Sequence, residues 1–326
     1  MLLDVFDALL LDLDGTVWQG DRALPHTVEI LNSTSLPVAY ITNNASRAPS
    51  QVARMLNALG IQAQAQDVFT SALAAVGLAR QRLDAGAKVL ILGSESFKEL
   101  ARRAGFVVVD SADDNPVAVL QGHNPETGWR QLSEAALAIG RGAIYVASNS
   151  DTSLPSERGL LVGNGSMVAA VTSATGVVPD IAGKPKPVMF EQAAAQLKVD
   201  APLAVGDRLD TDIAGAVAAK MSSLHVLTGV SGPWALLKAP VEHRPTFIGE
   251  DFSALKDNVD FLRPGPQGGF VAHVEDGALI LDGGSDDATA VQALRTALEV
   301  VWSGAQPPRD VKAWSAPAQR ALEQWW

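Results

Sequence analysis

The sequence predicts an α/β protein built on a parallel sheet with helices on both faces, carrying an inserted α/β block and a small C-terminal α/β module. Three observations lead there. Short β-rich apolar runs alternate with longer segments of helical periodicity through most of the 326 residues, the pattern of strands covered by crossover helices. Two of those runs, Ala8-Leu9-Leu10-Leu11 and Leu203-Ala204-Val205, end in acidic turns. The chain also exceeds one ordinary domain, and with 47% hydrophobic and 19% charged residues it has material for two or three cores.

The elements follow in order. The run over 8–11 reads as a buried strand, and Asp12-Leu13-Asp14-Gly15-Thr16 places two carboxylates at its mouth. Residues 36–41 read as a strand ending at Thr42-Asn43-Asn44, and 50–59 as a helix with Pro49 in its first turn and Gly60 at its stop. Between about 78 and 178 the alternation repeats, with strands over 88–92, 106–109, 117–120 and 143–146 and helices over 96–104 and 129–139. This block separates the first polar turns from the last ones, so it reads as an inserted α/β cap domain over 78–181 interrupting a core of 1–77 and 182–258. The second acidic turn, Gly206-Asp207-Arg208-Leu209-Asp210-Thr211-Asp212, follows the second buried run. Arg263 to Gly269 form a turn-rich linker, followed by a hairpin over 270–274 and 278–281 across Asp276-Gly277 and a helix over 287–302. Residues 264–326 are thus a C-terminal module, with Trp302, Trp314, Trp325 and Trp326 expected to anchor it to the core or to another subunit.

Composition excludes several classes. A formal charge of −11 without a basic run argues against nucleic acid, because binding a polyanion needs clustered Lys and Arg. A small phosphate ester stays compatible, since a local metal and lysine can outweigh the global field. The chain has no cysteine, which excludes disulfides and thiolate chemistry and fits a reducing compartment. The N-terminus lacks a basic leader and no apolar run reaches membrane-spanning length, so a cytoplasmic protein without membrane contact is expected.

Clustered carboxylates raise one another's pKa unless a cation neutralises them, so the two acidic turns point to a divalent metal, Mg²⁺. Asp12 is the candidate nucleophile: a carboxylate beside a metal can attack phosphorus in line and split one hard displacement into two. Asp14, on the same side of an extended segment, can protonate the departing alkoxide and later take a proton from water. Thr42 and Asn43 offer a hydroxyl, an amide and a backbone N–H at the start of the following helix, a setting that favours a phosphoryl group. His123 and His225 fall in no ligand-spaced cluster, and structural roles are expected for both.

Asp12-Leu13-Asp14-Gly15-Thr16, Thr42-Asn43-Asn44, Gly183-Lys184-Pro185-Lys186-Pro187 and Gly206-Asp207 with Thr211-Asp212 occur in the order and type of the motifs of haloacid dehalogenase (HAD) superfamily phosphatases, which the chain resembles over roughly residues 5–250. Asn149-Ser150-Asp151, Leu154-Pro155 and Gly163-Asn164-Gly165-Ser166 resemble the cap signature of the NagD-like, or p-nitrophenylphosphatase-like, branch. The extra tail resembles the arrangement of actinobacterial glycerol-3-phosphate phosphatases. The resemblance implies a Rossmann-like core and a hydrolase working through an aspartyl phosphate. It implies Lys184 as the lysine binding nucleophile and phosphoryl oxygens, Thr42, Asn43 and Asn44 as phosphate-binding groups, and Asp12, the Asp14 backbone carbonyl and Asp207 as metal ligands. Asp212 is expected to orient ligands from behind them or to cap a helix beginning near Ile213, Asp210 to be solvated, and Asn149 and Asp151 to face the leaving group. Here Asn-Ser-Asp stands where the branch commonly has Asn-Pro-Asp.

The resulting expectation is a Mg²⁺-dependent phosphomonoester hydrolase for a small metabolite, with glycerol 3-phosphate first and phosphoglycolate, pyridoxal phosphate or a nucleoside monophosphate as alternatives. A non-catalytic metal- and phosphate-binding sensor is the other class, and Asp14 argues against it because a sensor needs no leaving-group acid. Oligomeric state stays open, although cap-to-cap homodimers are common in the resembled family. The tail lacks a Gly-rich loop for a coenzyme pyrophosphate, so a structural or oligomeric role is expected for it.

Overall fold

A computed structural model describes residues 1–156, 158–304 and 306–325. The chain separates into two compact units, one comprising Met1–Ala39, Leu59–Gln62 and Ala194–Trp326, the other Tyr40–Ala58 and Ala63–Ala193. The sequence divides the chain by motif order, at 77 and 182; packing divides it inside the strand Val38–Thr42.

In the first unit the parallel strands Phe247–Gly249, Ser222–Val226, Pro202–Gly206 and Ala8–Leu11 lie in that order. Leu11 stands opposite Val205, and Gly206 opposite His225. Ala8–Leu11 and Pro202–Gly206 are buried throughout, which is why they read as continuous apolar runs rather than alternating ones. The tail adds a three-stranded sheet, Phe270–Glu275 antiparallel to Ala278–Gly283 and the latter parallel to Asp310–Ala313, with helices Ala290–Ser303 and Ala316–Glu323. Its Phe270, Leu279, Leu281, Leu294 and Leu298 share one apolar cluster with Leu209, Ile213, Leu236 and Ile248. Trp302 Nε1 donates to the Leu236 carbonyl at 3.0 Å and Trp325 Nε1 to the Ala290 carbonyl at 3.2 Å. Trp314 is 58% exposed, so it is not an anchor within the chain, and Trp326 lies outside the described residues.

The second unit holds a five-stranded parallel sheet ordered Asp180–Ile181, Ile144–Ala147, Ala118–Gln121, Lys88–Leu92 and Val107–Val109. Helices Glu95–Arg103, Trp129–Gly140 and Asn164–Thr175 pack with it, and Ser153–Ser156 and Gly159–Val162 form an antiparallel hairpin. The latter half of Val38–Thr42 pairs with Val68–Thr70, accompanied by helices Pro49–Ala58 and Ser71–Arg80. No helix among the described residues is long and apolar enough to cross a membrane.

Candidate active site

Because Leu11 faces Val205, residues 12 and 207 leave the first unit's sheet side by side, and the Asp12 N–H donates to the Val205 carbonyl at 2.9 Å. The carboxyl ends of parallel strands are where open α/β sheets hold ligands. One carboxylate oxygen from each of Asp12, Asp207 and Asp212 lies within 4.8 Å of the others. Asp207 and Asp212 are buried and Asp12 is half-buried. Three hard oxygen donors packed this closely suit a small divalent cation, which relieves their repulsion. The surroundings are shaped to match. Gly15, at φ +88°, and Gly229 approach Asp207 so closely that a Cβ on either would come within 2.6 Å and 2.0 Å of its Oδ2.

Asp207 is held on both oxygens: Thr16 Oγ1 donates to Oδ1 at 3.2 Å and the Val230 N–H to Oδ2 at 2.7 Å. Asp212 departs from the expected helix-capping role. The α-helix Ala214–Ala218 begins near Ile213 as expected but has no side-chain cap, and a helical turn Leu209–Ile213 leads into it; Asp212 lies inside that turn, accepts the Arg208 N–H at 3.0 Å and brings its carboxylate to the other two. Asp210 is exposed and takes the Arg208 guanidinium on both oxygens, at 3.1 and 2.8 Å, and those hydrogen bonds hold its pKa below the ordinary carboxylate value. Asp14 stands outside the three-carboxylate group; its exposed side chain accepts the Trp18 indole N–H at 2.8 Å. Sequence reasoning missed Trp18, whose four-residue spacing from Asp14 was the available clue.

In the second unit Asn43 is the hub. Its Oδ1 accepts the Lys184 N–H at 2.9 Å, and its Nδ2 donates to the Lys184 carbonyl at 3.1 Å and to Asp151 Oδ2 at 3.3 Å. Asn149 Nδ2 donates to the Asn43 carbonyl at 2.7 Å, and Asn164 Nδ2 to the Asn149 carbonyl at 2.7 Å. Lys184 is buried, with Nζ donating to the Ile41 carbonyl at 3.1 Å, whereas Lys186 is exposed. Thr42 Oγ1 accepts the Asn44 N–H at 3.1 Å. The next helix begins only at Pro49, so Asn43 is outside its first turn and gains nothing from its dipole, which acts within that turn. Gly163 and Gly165 serve close approach rather than an unusual φ: a Cβ there would meet the Asp151 carbonyl oxygen at 2.2 Å and that of Ser150 at 2.1 Å. His123 lines a cavity of about 220 Å³ with Gln121, Asn124, Leu154 and Asn164. His225 is fully buried, as a structural histidine would be.

Comparison with known proteins gives this arrangement its relatives. Residues 9–107 match the haloacid dehalogenase-like hydrolase family model and residues 181–255 the HAD-hydrolase-like model. D-glycerol 3-phosphate phosphatase of Mycobacterium tuberculosis is 42% identical over 330 residues, covering 98% of this chain and 94% of that protein. An acid sugar phosphatase of Staphylococcus saprophyticus is 35% identical, covering 76% of this chain and 96% of its own length. The crystal structure of the M. tuberculosis glycerol phosphate phosphatase in complex with magnesium superposes with a TM-score of 0.95 at 42% identity, covering 99% of this chain and 98% of that one. A thermostable NPPase from Geobacillus stearothermophilus gives a TM-score of 0.68 at 32% identity, covering 78% and 98%. The matched models together span more than half of the sequence, and the chain belongs to the haloacid dehalogenase-like hydrolases.

Proposed function

We propose that the chain is a Mg²⁺-dependent phosphomonoesterase acting on glycerol 3-phosphate through an aspartyl phosphate on Asp12. The observation that carries this reading is the meeting of the Asp12, Asp207 and Asp212 carboxylates beyond two adjacent strand ends. These three, with the Asp14 backbone carbonyl, would hold the cation. When bound, Mg²⁺ supplies positive charge that lets an anionic nucleophile approach an anionic ester.

The chain's own groups carry the steps. The Asp12 carboxylate attacks phosphorus as the ester P–O bond breaks, and Asp14 gives its proton to the leaving alkoxide. Water then attacks the acylated phosphorus, Asp14 takes a proton from it, and inorganic phosphate departs with Asp12 restored. The Trp18 indole holds one Asp14 oxygen and limits how the other can turn. Lys184, Thr42, Asn43 and Asn44 are the proposed phosphoryl-binding groups, which must stabilise charge spread over the transferring oxygens. Asn149 and Asp151 are proposed to meet the leaving group. The organisation proposed for this reaction is a core of 1–77 and 182–258, a cap of 78–181 and a supporting module of 264–326. Identity and coverage with the M. tuberculosis enzyme support glycerol 3-phosphate over the other small esters. A cytoplasmic, cap-to-cap homodimer belongs to the same proposal, and sedimentation velocity tests the dimer.

The deciding experiment is a panel of phosphorylated metabolites assayed with Mg²⁺, read as relative kcat/KM, with Asp12→Asn alongside. Glycerol 3-phosphate should lead the panel and the variant should be inactive but folded. Phosphate release by Asp12→Asn at the wild-type rate would overturn the mechanism.

A further inference from the structure

His225 is a buried titratable side chain that the reaction does not use. It sits in Ser222–Val226, directly beside Gly206, one residue before Asp207. Its Nε2 lies 2.8 Å from the Ser231 carbonyl oxygen, while its Nδ1 has no hydrogen-bond partner among the described residues. A ring with one bonded nitrogen must donate from it to a carbonyl, which fixes Nε2–H as the tautomer.

Ser231 ends a short turn, Thr228-Gly229-Val230-Ser231, that embraces Asp207. The Ser231 N–H donates to the Asp207 carbonyl at 3.1 Å, and Ser231 Oγ accepts the Leu209 N–H at 3.1 Å. Thr228 Oγ1 donates to the Gly15 carbonyl at 2.6 Å, tying the other end of the turn to the first acidic segment. Between these anchors the Val230 N–H reaches Asp207 Oδ2 at 2.7 Å. Gly229 is required where it stands, since a Cβ would run into that same oxygen at 2.0 Å.

We propose that His225 is a positioning residue for cation binding: by holding Ser231 it seats the 228–231 turn, whose Val230 N–H fixes the rotation of the Asp207 carboxylate. The proposal rests on Asp207 being a metal ligand. A carboxylate gripped on Oδ2 by an amide and on Oδ1 by the Thr16 hydroxyl meets a cation in one orientation and loses no torsional freedom on binding. Without the histidine, the turn keeps its Thr228 anchor and the bonds at the Ser231 N–H and Oγ, and loses the one that holds the Ser231 carbonyl.

The test is direct Mg²⁺ titration calorimetry on the purified full chain, without substrate. His225→Leu should weaken Mg²⁺ binding about 10- to 100-fold, the range for groups that orient metal ligands. His225→Gln, which can place an amide N–H where Nε2–H stood, should restore affinity close to wild type. If the leucine variant does not fold, His225→Asn, too short to reach Ser231, takes its place against His225→Gln. Wild-type Mg²⁺ affinity in a folded leucine or asparagine variant would overturn the proposal, as would equal weakening by glutamine. Wild-type affinity in Asp207→Asn would instead overturn the metal-site reading beneath it.

Discussion

The Asn43 side-chain amide and the Lys184 backbone hold each other: the Lys184 N–H donates to Asn43 Oδ1 and Asn43 Nδ2 returns a bond to the Lys184 carbonyl. The reciprocal pair locks two segments 141 residues apart in sequence and fixes where the lysine leaves its chain. Gly183 makes this approach feasible, since a Cβ there would stand 2.7 Å from Asn43 Oδ1.

Asn43→Ala should therefore leave both Lys184 backbone groups short of partners. Each unpaired buried group costs about 1–3 kcal/mol. Urea denaturation should show a loss of that order, and kcat/KM should fall further than stability alone explains, because Lys184 loses its fixed origin.

Gly15→Ala should disable cation binding. The substitution forces an L-residue into φ +88° and points its Cβ at Asp207 Oδ2. Calorimetry should show Mg²⁺ affinity reduced by at least about tenfold, the scale of a displaced ligand shell. Unchanged affinity would mean that Asp207 is not a ligand.

Acid stability should carry the mark of His225. Burial pushes its pKa from 6.5 down to about 4, so the unfolded chain takes up a proton before the folded one does. The sign follows: stability is fully present above pH 6.5 and declines as pH falls towards 4. The loss from this one group is about 3 kcal/mol at most. Denaturation midpoints of wild type and His225→Gln, compared from pH 7 to pH 4, should converge as that loss accumulates.

Arg295 should prove costly to truncate. Its buried guanidinium donates twice to the Ile248 carbonyl, once at 2.9 Å, and once to Gln267 Oε1 at 3.3 Å. Burial lowers its pKa to about 10, which leaves it charged at neutral pH. Arg295→Ala opens a void and strips that carbonyl of its donors, and a loss of about 2–4 kcal/mol is expected in urea. Arg295→Met should recover part of it by refilling the space.

Much of this was legible because strand burial writes itself as apolar runs. Lys88–Leu92 has the bounds read from the sequence, and the hairpin turns at Asp276-Gly277. The helix expected from residue 287 begins at Ala290. Thr289 caps it reciprocally with Gln292, a Thr-x-x-Gln signature passed over in favour of the acidic residues before it. Asp12, Asp14, Asn43, Lys184 and Asp207 stood out because motif order names them. Asp212's place among the carboxylates depends on where a helical turn begins, and the grip of Val230 on Asp207 depends on two segments meeting across 23 residues. Neither leaves a periodic trace in one sequence.

The apolar cluster joining Leu209 and Ile213 to Phe270, Leu279 and Leu294 has a consequence for lineage as well as for stability. Those two residues bracket Asp210 and Asp212, so the underside of the acidic turn is upholstered by the last sixty-odd residues of the chain. A shortened descendant would have to re-clothe positions 209 and 213 in polar side chains before it could shed that padding. The appendage is a foundation rather than an ornament.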